Sequence, residues 1–276
     1  MSAEPKIDLH THSTCSDGTD TPAELVANAA IAGLTVVAVT DHDTTGGWAS
    51  AMAAAEHHGI HVVRGVELST GNLGRSQHLL GYAFDPTTPV LAELLAGGVA
   101  SRARRLTAQL ERLAAIGKPL SDEDLAEHLP DEGPVGKPHL ATALHARGHV
   151  DSFDAGMDLL GGAAHVAREK IDIEDAIRAV SQAGGVTVVA HPWGRRARID
   201  EARFAELREV GLTGIEAAHY EHTPKQQDAL KAIAANLGLV WTGSSDYHGT
   251  RKPNRLGCHT TPVEQYERLL GQAAAH

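Results

Sequence analysis

The segment Ile7-Asp8-Leu9-His10-Thr11-His12-Ser13-Thr14-Cys15-Ser16-Asp17-Gly18, answered further on by Thr40-Asp41-His42-Asp43, sets imidazoles and carboxylates directly after short apolar runs. Side chains two apart on a strand share a face, so His10 and His12, at the fraying end of a first strand, can point at one ion. Neutral imidazole is a common ligand for divalent metals. A His-x-His alone is equally at home in a polar loop, so the rest of the chain decides. Val62-Val63-Arg64-Gly65-Val66 gives on to Glu67, and the run from Gln77 to Ala83 carries His78. Val186 to Ala190 ends at His191, and Leu239 to Ser245 ends at Asp246 with His248 two residues on. Six histidines (10, 12, 42, 78, 191, 248) and three acids (Asp17, Glu67, Asp246) thus stand at strand ends or just past them. That is the placement expected of a multinuclear metal site.

The organisation around these residues is strand, helix, strand, helix, with one interruption. Thr21-Pro22-Ala23-Glu24 predicts a helix start: Thr21 as N-cap, proline at the first helical position and glutamate closing a capping box, with an end near Gly33. Seven strands are expected, at 6–10, 35–40, 61–67, 76–84, 186–191, 214–219 and 239–245. Most are continuous apolar or β-branched runs joined by helical segments, which predicts a parallel sheet covered on its outside. Seven such units predict a closed or nearly closed α/β barrel, whose active residues gather at the carboxyl ends of strands. Between 86 and 165 the alternation stops: a long helix is expected from Val90 to Gly117, then shorter ones around 122–129, 137–147 and 153–160, with a turn-rich Leu129-Pro130-Asp131-Glu132-Gly133-Pro134 among them. This stretch reads as a helical insertion leaning over the mouth of a barrel built from 1–85 and 166–276.

At 276 residues and 42% hydrophobic, the chain can bury a full core. Its formal charge of −11 argues against coating duplex DNA or an anionic membrane, while bound cations leave room for a small phosphorylated substrate. Two cysteines, Cys15 and Cys258, no apolar leader and no stretch approaching a membrane span lead to the expectation of a soluble cytoplasmic protein without disulfides. Trp48, Trp193 and Trp241 are too few and too scattered for a single-strand stacking track.

With the ligand set assembled, the chain resembles the PHP (polymerase and histidinol phosphatase) family of metal-dependent phosphoesterases over almost its whole length. Within that family it is similar to the nucleotide-acting branch of 3′,5′-nucleoside bisphosphate phosphatases and ribonuclease AM, a 5′-to-3′ exonuclease on short RNA. The residues that carry this are Ser16-Asp17-Gly18, Gly136-Lys137-Pro138-His139, Ala190-His191-Pro192, Gly214-Ile215-Glu216, His222-Thr223-Pro224 and Gly243-Ser244-Ser245-Asp246-Tyr247-His248-Gly249. The resemblance implies a distorted (β/α)7 barrel and two or three divalent ions, manganese first, with iron and zinc also fitting. It groups His10, His12, Glu67 and Asp246 around one ion, with Glu67 bridging to a second held by His78 and His191. Asp17, His42 and His248 would hold a third; Asp17 is the variable point, since other branches place histidine there.

Such ions deprotonate water, clamp phosphoryl oxygens and stabilise the leaving alkoxide, so the expected attack is by a metal-bound hydroxide. No Gly-x-Ser-x-Gly elbow appears, and Cys15 reads as a bystander. His248 or His219 is the candidate proton donor. Asp41, beside a ligand, either orients an imidazole or caps the loop after the second strand. Arg102 and Arg105, three apart on the long helix, form a candidate phosphate clamp, unless Arg102, Arg104 and Arg105 pair with acids such as Glu111 on a solvated face. Lys137, His139 and His219 are further substrate candidates; Arg195 and Arg196 fit a phosphate contact and a surface loop equally. The remaining histidines, His222 among them, read as surface or capping, with His165 open.

The function expected is hydrolysis of a terminal phosphate ester of a nucleotide, 3′,5′-nucleoside bisphosphate to monophosphate, or of a short 5′-phosphorylated oligonucleotide. The alternatives are a histidinol-phosphatase-like enzyme, a deaminase or lactonase of the amidohydrolase type, and a silent metal-binding module. Amidohydrolase sites often bridge their metals with a modified lysine where this chain offers Glu67, and a silent module would have little reason to keep nine ligand positions.

Overall fold

The computed structural model describes residues 4–129, 133–194 and 198–273. Arg195, Arg196 and positions 130–132 of the turn-rich segment lie outside the described residues. Strand β1 (Ile7–Asp8) leads through helix α1 (Pro22–Ile31) to β2 (Val36–Val39), and α2 (Trp48–His58) leads to the paired β3 (His61–Asn72) and β4 (Arg75–Tyr82). Four helices follow: α3 (Pro89–Ala115), α4 (Asp122–Ala126), α5 (Lys137–Ala146) and α6 (Phe153–Gly161). The barrel resumes with β5 (Ile171–Asp172), α7 (Ile173–Gln182), β6 (Val186–Ala190), α8 (Glu201–Val210), β7 (Gly214–Ala218), α9 (Pro224–Asn236), β8 (Val240–Gly243) and α10 (Val263–Ala273). No helix among the described residues is long and apolar enough to cross a membrane.

The main sheet runs β1-β2-β3-β4-β6-β7-β8, with the short β5 alongside β3. Its open edges nearly meet: Thr11, beyond β1, makes an isolated parallel bridge to Tyr247, beyond β8, with His12 N donating to the Tyr247 carbonyl at 2.9 Å. The Ser245 amide also donates to the Asp8 carboxylate at 3.0 Å, across 237 positions of chain. The nearly closed seven-strand barrel is thus present.

One strand corrects the expectation of a parallel sheet. β4 runs antiparallel to both β3 and β6. The cause is the two-residue link Leu73-Gly74, both with positive φ (48° and 77°), a left-handed pair that makes a tight hairpin. Period-two and apolar patterns carry no strand direction, so the reversal was invisible to them. β5 also went unpredicted, being two residues long.

Alternation sorts each strand's side chains. Val36 and Ala38 join Ile7, Leu9, Val63, Leu80, Tyr82, Val188, Ala190 and Val240 in the barrel interior, which Leu269 of α10 also joins. Val37 and Val39 face outward, under α1 and α2. Each buried valine, leucine or isoleucine among them contributes roughly 1.5–3 kcal/mol. α1 begins as expected, Thr21 Oγ accepting from Glu24 N at 3.2 Å while the Glu24 carboxylate accepts from Thr21 N at 2.8 Å. The four middle helices close a separate cluster around Leu113, Leu125, Leu140, Leu144 and Leu160. They dock on the barrel through Arg102, whose Nε donates to Asp43 at 2.7 Å.

Candidate metal centre

After β1 the chain stays extended because Thr11 is fastened on both sides, its hydroxyl donating to Ala38 O at 2.6 Å and its carbonyl accepting from Thr40 N at 3.0 Å. His10 and His12 therefore project together, with Nε2 atoms 3.1 Å apart. Between them and the opposite wall stands Glu67, buried and shared by five imidazoles. Its Oε2 lies 3.2 Å from His10 Nε2, 3.1 Å from His12 Nε2 and 3.1 Å from His42 Nδ1. Its Oε1 lies 2.5 Å from His78 Nδ1 and 3.1 Å from His191 Nε2. Asp246 Oδ1 completes the first group, 3.5 and 3.4 Å from the His10 and His12 nitrogens. Donors about 2.1 Å from a tetrahedral centre are separated by about 3.4 Å, so these spacings suit one ion.

A second group joins Asp17 to His248 Nε2 (3.3 Å), His12 Nδ1 (3.7 Å) and His42 Nε2 (3.8 Å). Three sets of donor atoms lie within 4.8 Å of one another: His10, His12, Glu67 and Asp246; His12, Asp17, His42 and His248; and His42, Glu67 and His78. All nine residues singled out in the sequence are brought to one mouth. His42 faces two sets at once, one nitrogen toward each. His78 and Glu67 sit within strands rather than at their ends: β3 runs on past the mouth, and the reversed β4 presents its N-terminal half there.

The surrounding contacts turn lone pairs inward. His10 Nδ1 donates to Glu216 Oε1 at 2.9 Å, freeing Nε2; Glu216 also accepts from His191 N at 2.7 Å and from Ser244 Oγ. His248 Nδ1 donates to Asp246 O at 2.8 Å, leaving Nε2 toward Asp17. Glu216 is thus a carboxylate that orients an imidazole directly, a contact the sequence did not single out. Asp41 accepts instead from Ser13 N (2.8 Å), Ser13 Oγ (2.7 Å) and Ser16 Oγ (2.6 Å), fastening the loop that carries Asp17. Its link to an imidazole runs through Ser16, whose Oγ also lies 3.4 Å from His12 Nδ1.

Charge shows what the pocket lacks. Burial alone would lower the pKa of His10 and His12, yet nearby carboxylates raise both, His12 to about 9. Burial lowers His42 and brings His248 to about 4, which keeps both as neutral ligands. Glu67, Asp17 and Asp246 stay ionised despite burial, held down by adjacent histidines and, for Asp246, first by Lys252. Asp17 Oδ1 and His42 Nδ1 are sealed from solvent without a hydrogen-bond partner. Imidazoles mixed with carboxylates, lone pairs inward, fit divalent manganese, iron or zinc.

The backbone is bent to achieve this. His191 (φ 29°) and Asp246 (φ 51°) occupy the left-handed region that non-glycine residues avoid, a cost held by the surrounding fold. At Gly18 a Cβ would lie 2.3 Å from the His12 carbonyl oxygen. Gly18→Ala is therefore expected to push the Asp17 loop outward, lowering the bound-metal count per chain and costing about 1–3 kcal/mol on thermal unfolding; unchanged metal content would refute the tight-turn role.

The substrate candidates are partly committed. Arg102 is buried, donating to Asp43 and, through Nη2, to Ser69 Oγ at 2.8 Å, so an open Arg102/Arg105 clamp is not what stands there. The reason is Asp43, a buried acid after β2 that requires a counter-charge, and Arg168 Nη1 lies 3.5 Å from it as well. Arg104 pairs with Glu169, not Glu111. Arg105 lies half-buried beside Gln109 and Gly136; Lys137 opens α5; His139 is buried, burial lowering its pKa to about 4, and accepts from Gly136 N at 2.9 Å. His219 is buried and accepts from Glu221 N through Nδ1 at 3.1 Å, so its proton sits on Nε2, 3.5 Å from Asp246 Oδ2. His222 is not on the surface: it is buried, donating to Ala217 O and accepting from Trp193 N. Lys252, which the sequence did not flag, places Nζ 2.6 Å from Asp246 Oδ2.

The PHP domain model matches residues 8–97, which hold His10, His12, Asp17, His42, Glu67 and His78. Along most of its length the chain is 35% identical, over 248 residues, to the phosphoribosyl 1,2-cyclic phosphate 1,2-diphosphodiesterase of Eggerthella lenta, covering 88% of this chain and 94% of that one. The chain belongs to the PHP family. This PHP chain is also 35% identical to a 5′-3′ exoribonuclease of Haemophilus influenzae, covering 88% of itself and 90% of the relative. To the 3′,5′-nucleoside bisphosphate phosphatase of Chromobacterium violaceum it is 32% identical, covering 92% and 91%. Among solved structures, a Bifidobacterium adolescentis chain described as a metal-dependent phosphoesterase superposes with a TM-score of 0.90 at 32% identity, over 98% of this chain and 97% of that one. The expected class, a phosphoesterase, agrees with all four, and the metal dependence with the solved structure.

Proposed function

We propose that this PHP phosphoesterase removes one phosphate from a 3′,5′-nucleoside bisphosphate, with end-trimming of 5′-phosphorylated oligonucleotides as the second reading. The observation that carries it is Glu67, one carboxylate set among five imidazoles with Asp246 beside them. In this reading His10, His12, Glu67 and Asp246 hold one ion, Glu67, His78 and His191 a second, and Asp17, His42 and His248 a third. Manganese is our first assignment. When bound, such ions supply Lewis acidity that lowers the pKa of water and offsets phosphoryl charge.

The chain's own groups do the rest. His219 presents an Nε2–H beside Asp246 and can donate a hydrogen bond to the charge that develops on the departing oxygen. Arg102 has two nitrogens engaged and a third, Nη1, beside Gly136 at the start of α5, where with Lys137 it can meet a phosphate. A cleft of about 320 Å³ opens next to Asp17, between Gly18, Thr19, His128, His139 and Arg251. That volume is at the small end of ligand pockets, which favours a mononucleotide over a strand. The names of the relatives, a phosphoribosyl cyclic phosphate, a nucleoside bisphosphate and an RNA end, all describe phosphate esters of ribose. A reducing cytoplasmic setting suits the two free thiols.

Chromatography of products from manganese-loaded protein, given adenosine 3′,5′-bisphosphate and a 5′-phosphorylated RNA pentamer in parallel, tests the proposal. Loss of one phosphate from the bisphosphate with the pentamer intact is the expected result. Progressive release of mononucleotides would favour the exonuclease, and no turnover of either would overturn both.

A further inference from the structure

The short turn after His248 carries two cations with opposite fates. Lys252 is answered by Asp246, and elsewhere at the mouth Arg102 and Arg168 are answered by Asp43. Arg251 is answered by nothing: among the described residues no carboxylate stands within ion-pair distance of it. Its Nη1 is sealed from solvent and has no hydrogen-bond partner among the described residues. Burial lowers its pKa, with Asp17 alone working the other way. An unpaired guanidinium N–H out of reach of water costs free energy that only a new acceptor recovers.

Arg251 also lines the cleft beside Asp17, in company with Thr14, Thr19, His139 and Thr142. It is held there. Thr250 N donates to Thr19 Oγ1 at 2.9 Å, which clasps the turn to the loop after β1. Among the described residues the one acid on the cleft wall, Glu127, is exposed and not paired with it. A pre-placed guanidinium fork on a hydroxyl-lined cleft suits an oxyanion, and under the bisphosphate reading that oxyanion is a phosphate monoester.

We infer that Arg251 anchors a second anion subsite, which takes the phosphate that is not hydrolysed and so sets the preference for doubly phosphorylated substrates. This rests on the bisphosphate reading above. It assigns discrimination to a residue outside the insertion, on the same turn that supplies His248.

The test compares wild type, Arg251→Met and Arg251→Lys, all manganese-loaded, on adenosine 3′,5′-bisphosphate and adenosine 3′-monophosphate. The ratio of kcat/KM for the bisphosphate to that for the monophosphate is expected to fall about 10- to 100-fold in Arg251→Met. The loss should lie in KM for the bisphosphate, bound metal should be unchanged, and Arg251→Lys should recover part of the ratio. An equal loss on both substrates, a fall in metal content or an unaltered ratio would overturn the subsite. Calorimetry with adenosine 5′-monophosphate and adenosine separates this inference from the substrate assignment. If wild type leaves the bisphosphate intact yet binds the monophosphate more tightly than adenosine, and Arg251→Met abolishes that difference, the subsite stands and the bisphosphate reading falls. Equal affinity of wild type for the two ligands overturns the subsite.

Discussion

Glu67→Gln is expected to reduce bound metal to a fraction of the wild-type count per chain and to slow ester hydrolysis about a thousandfold or more. The amide keeps the shape of the side chain but loses the charge, and only its single oxygen can still ligate. The five imidazoles that now share a carboxylate would then share half a bridge, and its NH2 would oppose the nitrogens of one side. Lewis-acid stabilisation of a phosphoryl transition state is worth several kcal/mol, and each 1.36 kcal/mol is tenfold in rate. Elemental analysis beside steady-state turnover measures both. Full metal content with near-wild-type turnover would remove Glu67 from the centre of the site.

Stripping the ions should reverse how stability responds to pH. In the metal-free chain His10 and His12 have pKa values above the ordinary 6.5, His12 at about 9: burial opposes the charge, but Glu67, Asp246 and their neighbours outweigh it. Protonation therefore favours the folded form. This stabilisation is full below pH 6.5 and is lost as pH rises through about 9. For His12 alone it is on the order of 3 kcal/mol, enough to move Tm by on the order of 10 °C. Metal binding requires the same nitrogens deprotonated, so the loaded protein should hold or gain stability across that window. Calorimetry at pH 6.5, 7.5 and 9, with and without chelator, reads the difference directly. A metal-free Tm flat across that range would contradict the charge balance described for the site.

Much of this centre was legible in the sequence because its ligands follow apolar runs, and a polar residue at the end of such a run has few places to go except the mouth of a barrel. His10, His12, His191 and Asp246 were found in this way. The direction of β4 was not legible by pattern, although Leu73-Gly74 between two extended runs was a turn signal short enough to suggest a hairpin. Glu216 was quoted in a motif without a role; an acid alone in the apolar run Gly-Ile-Glu-Ala-Ala was the available signal that it must serve a buried partner. For Asp41 the sequence left two roles open, because adjacency to His42 does not say which groups its carboxylate meets; in the fold they are Ser13 and Ser16. Arg168, Arg251 and Lys252 carry no spacing pattern at all. Their positions follow from loop paths that only the folded chain defines.

The seam of the barrel deserves a last consequence. Thr11 and Tyr247 join its two edges by a single bridge, while His10 and His12 stand on one side and Asp246 and His248 on the other. An ion gripping both sides is a clasp on a ring otherwise fastened by a few hydrogen bonds. Because Asp246 follows His12 by 234 positions of chain, the ribosome delivers the second half long after the first. The centre is therefore completed late, after the rest of the sheet has emerged, and a chain stalled before β8 carries seven of the nine candidate ligands but lacks Asp246 and His248.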